Sequence, residues 1–79
     1  MKYVYILESI GAAGHFYVGI TNDLRDRLKR HNAGDVPHTS KSAPWRIKTY
    51  VAFSDEAKAL AFEKYLKSGS GRAFAKRHL

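Results

Sequence analysis

Two tyrosine tripeptides, Tyr3-Val4-Tyr5 and Tyr17-Val18-Gly19, stand eleven residues apart, and their phenols can donate or accept a proton. Further along, Asp23, Arg27 and His31 recur every fourth residue, so a helix would set them in one polar row. A guanidinium such as Arg27 can hold two non-bridging phosphate oxygens with its planar fork and stays charged at any working pH. His31 brings an imidazole, whose ordinary pKa near 6.5 suits a proton acceptor without tuning. Glu63 is a lone carboxylate four residues before Lys67, a spacing whose surface ion pair is worth only about 0.2–0.5 kcal/mol. Taken singly, each residue has an ordinary structural use: strand tyrosines pack their rings, and a helical glutamate pairs with its lysine. Other constellations are weaker. The histidines at 15, 31, 38 and 78 lack zinc-ligand spacing and there is no cysteine, while Ser68-Gly69-Ser70-Gly71-Arg72 has neither Walker spacing nor a preceding strand.

The chain that carries them has 79 residues, enough for one domain (1–79) with one thin core. With 44% hydrophobic residues it has the apolar material to fold, and without cysteine its stability must come from packing and hydrogen bonds. Fourteen Lys+Arg against seven Asp+Glu leave a formal charge of +7, which favours a polyanion as partner. Arg25, Arg30, Lys41, Arg46, Lys67, Arg72 and Lys76 are the expected contacts to a nucleic-acid backbone; such contacts add affinity without reading sequence. The opening Met1 to Glu8 has only a short apolar run ended by a carboxylate, unlike a signal-peptide core or a membrane span, and a cytoplasmic protein with no membrane partner is expected.

The positioning elements follow from pattern. Lys2 to Glu8 and His15 to Ile20 are β-branched and aromatic around a Gly11-Ala12-Ala13-Gly14 breaker, which predicts a hairpin with Tyr3, Tyr5 and Leu7 on one face and Val4 and Ile6 on the other. Thr21, Asn22 or Asp23 can cap a helix to about Asn32, docked by Leu24 and Leu28 and ended by Gly34. Asp35 to Ala43 is expected to be an irregular loop, followed by a strand from Trp45 to Phe53. Ser54 offers a cap for a helix from Asp55 to Lys67 with a wide apolar arc, and Glu63 sits at the arc's edge. Ser68 to Gly71 reads as a flexible break before a short basic helix from Arg72 to Leu79. The fold class is α+β, in the order β-β-α-β-α-α.

The order and spacing of the two tripeptides, Thr21 to Leu28, His31-Asn32-Ala33-Gly34 and Phe62-Glu63-Lys64 together resemble the GIY-YIG nuclease superfamily over nearly the whole chain, in a small stand-alone form. The resemblance implies a three-stranded antiparallel sheet flanked by helices and an endonuclease that cleaves phosphodiesters of branched, nicked or duplex DNA, in repair or recombination. It implies one Mg²⁺ or Mn²⁺ held by Glu63, Tyr17 as general base, Tyr5 as its companion and Arg27 as the phosphate clamp. Gly19 belongs to the motif; His31 is a supporting residue and the alternative base. Tyr3 stands where the family name has glycine, and Val18 where it has isoleucine. Larger members such as the excision-repair incision nuclease have an asparagine after the glutamate helix; none follows Asn32 here, and Ser68 and Ser70 are the candidates to replace it. A binding module without turnover, an RNA-directed protein, and specificity supplied by self-association or a protein partner remain alternatives.

Overall fold

The computed structural model describes residues 1–79. Its β-branched and aromatic runs form β1 (Lys2–Ser9) and β2 (Phe16–Thr21), and the third such run forms β3 (Trp45–Phe53). They make one antiparallel sheet in the order β2-β1-β3, with Tyr5 of β1 opposite Gly19 on one side and Tyr50 on the other. The first strand of the chain is therefore the central one. An irregularity between Ile6 and Leu7 shifts the register against β3.

Period-two alternation in β1 feeds two cores. Val4 and Ile6 meet Ala59 and Leu66 on one face, joined by Phe53, Phe62 and Phe74. Tyr5 and Leu7 meet Trp45 on the other, where Leu24 and Leu28 dock the first helix. That helix, α1 (Leu24–Asn32), is capped by Asp23, whose Oδ1 accepts from the Asp26 N–H at 3.0 Å. It ends where Gly34 takes φ +81°, with the Gly34 and Asp35 N–H groups donating to the His31 and Arg30 carbonyls in a Schellman arrangement.

The loop from 35 to 44 is held at several points and contains a short 3₁₀ turn, Ser40–Ser42. Asn32 clamps its far end: its Oδ1 accepts from the Trp45 N–H at 2.6 Å and its Nδ2 donates to the Trp45 carbonyl at 3.1 Å.

The last two helices correct the expected boundaries. α2 (Glu56–Leu66) is capped by Asp55 rather than Ser54, because the Asp55 Oδ1 accepts from the Lys58 N–H at 3.2 Å. The predicted flexible break at Ser68 to Gly71 is instead the start of α3 (Gly69–His78). Ser68 caps it, accepting from the Gly71 N–H at 3.1 Å while donating to the Tyr65 carbonyl at 2.6 Å. Gly71 is buried against the end of α2; a Cβ there would lie 1.7 Å from the Tyr65 carbonyl oxygen. The glycines that suggested flexibility serve a close helix crossing. No helix is long and apolar enough to cross a membrane.

Candidate active site

Tyr5 occupies the middle of the central strand and is 2% exposed. Its ring lies across the position opposite, and Gly19 is the residue that permits this: a Cβ at Gly19 would stand 2.3 Å from the Tyr5 hydroxyl. The hydroxyl ends at His31, 2.9 Å from Nε2. His31, fully buried, has its Nδ1 2.7 Å from the Thr39 hydroxyl, which in turn lies 3.2 Å from the Val36 carbonyl.

The Thr39 hydroxyl has one hydrogen for two acceptors: given to Val36, it leaves the oxygen to accept from His31 Nδ1–H and the bare Nε2 to accept the Tyr5 O–H; given to Nδ1, it leaves Nε2–H donating to the Tyr5 oxygen. Trp45 secures the far end, its Nε1–H donating to the Thr39 carbonyl at 2.8 Å. Thr39 is itself fully buried. Burial, and secondarily the charge of Arg27, hold the His31 pKa below the ordinary value of 6.5.

Tyr17, on β2, packs its ring 5.0 Å from that of His31 and 6.5 Å from that of Tyr5. Arg27, half-buried on α1, brings its cation to the same spot. The Tyr5 hydroxyl senses all the neighbours: burial pushes its pKa up to about 12, with Tyr17 adding to the rise, Arg27 opposing it and Glu63 adding again. Glu63 comes from α2, on the opposite face from α1, so the group gathers residues from both layers. The four residues selected from sequence thus share one electrostatic neighbourhood around Tyr5.

The Glu63 side chain is 17% exposed, and its Oε2 is ion-paired to Lys67 Nζ at 2.7 Å. Oε1 lies outside that pair. No group of three or more acidic, histidine or cysteine side chains is assembled to cage a metal. A single accessible carboxylate fits Mg²⁺ or Mn²⁺ of the kind that keeps most of its waters and completes its shell from substrate phosphate; it does not fit a closed structural site.

The expected basic contacts are scattered. Lys67, Arg72 and Lys76 line one cleft. Arg25 and Lys41 are exposed elsewhere, Arg30 is paired with Asp26 at 2.9 Å, and Arg46 grips Glu8 through Nε and Nη2 at 3.1 and 2.9 Å. Ser70 is exposed on the first turn of α3, and Ser68 is committed to its cap. Sequence reasoning missed Thr39 and Asn32, which fix the loop behind His31. Neither belongs to an apolar period; the one available signal was a hydroxyl and an amide flanking a Trp-containing strand.

Residues 1–77 match the GIY-YIG catalytic domain. A UPF0213 protein of Lacticaseibacillus paracasei is 38% identical over 66 residues, covering 82% of this chain and 72% of that one. The structure-specific endonuclease subunit SLX1 homolog of Giardia intestinalis is 37% identical over 65 residues, 77% of this chain but 18% of its own length. Among solved structures, the solution NMR structure of the UPF0213 protein BH0048 from Bacillus halodurans superposes with a TM-score of 0.58 at 31% identity, covering 98% of this chain and 84% of that one. With this match over residues 1–77 and its two tyrosine tripeptides on adjacent strands, the chain belongs to the GIY-YIG family and is an endonuclease domain of that type.

Proposed function

We propose that the chain hydrolyses DNA phosphodiesters with one Mg²⁺ or Mn²⁺, acting on branched, nicked or duplex DNA with weak regard for sequence, in repair or recombination. What supports this reading is that Tyr17 packs against Tyr5 and His31 while the charges of Arg27 and Glu63 both act on the Tyr5 hydroxyl.

Arg27 takes two non-bridging oxygens of the scissile phosphate, holding the phosphorus in line for attack and stabilising charge as it grows. Tyr5, held in place by its hydrogen bond to His31, presents its hydroxyl to the attacking water and orients it. Tyr17 accepts the proton as the water oxygen forms its bond to phosphorus. The bond from phosphorus to the 3′ oxygen breaks, and that oxygen leaves, taking up a proton from solvent. Glu63 is the residue that would hold a divalent ion, which would supply Lewis-acid stabilisation of the leaving oxygen. Lys67 must release Glu63 for this, and its 51% exposed side chain is free to swing away.

The test is cleavage of nicked, flapped and linear duplex DNA with Mg²⁺, with Mn²⁺ and with EDTA. Glu63→Ala and Tyr17→Phe are expected to lower the rate by about 10² or more, the usual contribution of a positioned proton acceptor or charge stabiliser. Cutting that persists in EDTA, or in Glu63→Ala, overturns the one-metal reading; wild-type cutting by Tyr17→Phe overturns its assignment as base. The Glu63–Lys67 ion pair favours one alternative, a binding module whose carboxylate is permanently neutralised. In that case no DNA is cut under any metal while binding persists.

A further inference from the structure

On the sheet face away from α1, a cleft of about 770 Å³ opens between the β1–β2 hairpin and the junction of α2 with α3. Phe16, Val18 and Leu66 contribute its apolar floor, and Lys48, Lys67, Arg72 and Lys76 its rim. No carboxylate lines it. Phe16 is 52% exposed, and Gly14 near it leaves open space above the hairpin. Lys48 Nζ stands 5.2 Å from the Phe16 ring centroid, so a π face and a cation are presented together. Two residues link the cleft to the candidate active site: Tyr17 lines it, and Lys67 on its rim is ion-paired to Glu63.

From this we infer that the cleft is a subsite for an unpaired DNA strand, with one base stacked on Phe16 and the adjoining phosphates held by Lys48, Arg72 and Lys76. The inference rests on the DNA-nuclease reading and deepens it. Charge complementarity selects the ligand: an all-cationic rim around an apolar floor matches a chain of anions bearing flat apolar rings. The base must be unpaired because a base within a duplex has both faces covered by its neighbours, whereas a free base offers one to an aromatic side chain. The volume lies within the range of pockets that enclose small ligands, about 300–1,000 Å³, which suits one or two nucleotides rather than a duplex. A strand seated here would pass Lys67, the ion-pair partner of Glu63.

The experiment measures binding in EDTA, so that no turnover is needed, using a labelled oligodeoxynucleotide of mixed sequence and a blunt duplex of equal length. Phe16→Ala is expected to weaken single-strand binding about fivefold or more, the effect of losing one stacked base, and to leave duplex binding within twofold. Phe16→Trp should bind the single strand as tightly as wild type, which separates loss of stacking from loss of fold; circular dichroism checks that both variants melt as wild type does. Unchanged single-strand binding by Phe16→Ala, or an equal loss on both DNAs, overturns the subsite. So does a Phe16-dependent dimer in sedimentation with no single-strand preference, which would assign the face to a second copy. The outcome is independent of catalysis: Phe16-dependent binding with no cleavage of any DNA keeps the subsite and removes the nuclease, while metal-dependent cleavage with Phe16-independent binding does the reverse.

Discussion

At the scale of single residues, the centre depends on a missing atom. Gly19 has no Cβ where one would stand 2.3 Å from the Tyr5 hydroxyl, so Gly19→Ala should drive the Tyr5 ring from its place and break its bond to His31. Overpacking of this kind costs about 1–3 kcal/mol, and a urea titration should show a loss of that size together with reduced cleavage. Wild-type stability and rate in Gly19→Ala would mean that the ring has room to move. The candidate side chains themselves were legible in the sequence because the two tripeptides, the Arg27–His31 row and Glu63 stand at the offsets the resemblance requires. The buried support behind Tyr5 was not. It runs from the Tyr5 hydroxyl through His31 to the Thr39 hydroxyl. Thr39 sits in a loop without periodicity, and nothing in its local sequence distinguishes it from its neighbour Ser40.

At the scale of elements, the strands and α1 could be read from alternation, β-branching and capping residues, and they lie within about two residues of expectation, the usual uncertainty of helix and strand ends. The end of α2 and the start of α3 could not. Glycine and serine in a row have the composition of a linker, whereas here Ser68 closes one helix and opens the next and Gly71 lets their backbones meet. The two uses of a small residue separate experimentally. Asp55→Ala removes a single cap bond and is expected to cost about 1 kcal/mol. Gly71→Ala meets a backbone carbonyl that cannot rotate away, so it should cost more than Asp55→Ala, about 3 kcal/mol or above, by forcing α3 off α2. Chemical denaturation of the two variants side by side checks the order, and a flexible junction would show Gly71→Ala as the milder change.

At the scale of the whole molecule, the buried centre ties folding to pH. His31 is faced by Tyr5 from β1, Tyr17 from β2, Arg27 from its own helix and Thr39 from the loop, and its folded pKa lies below the unfolded 6.5. The unfolded chain therefore binds the proton more readily: this contribution to stability is complete above pH 6.5 and is lost as pH falls through the depressed folded value. Tyr5, raised to about 12 from 10, acts in the opposite direction, contributing fully below pH 10 and losing its contribution as pH rises towards 12. Urea midpoints should thus be level between those limits and decline on either side, with the acid decline smaller in His31→Gln; a midpoint indifferent to the substitution on the acid side would separate His31 from the effect. The arrangement of the sheet has a further consequence, for the order of events during synthesis. β1 precedes the other two strands yet is the one on which both pair, and its contact with β3 is complete only when Phe53 meets Lys2. Before β3 is added a nascent chain can hold no more than the β1–β2 hairpin and α1, with one edge of its future central strand unsatisfied. Glu63 lies later still. The sheet can therefore close before the candidate metal-holding carboxylate has been added, so the domain acquires its fold framework ahead of its full candidate site.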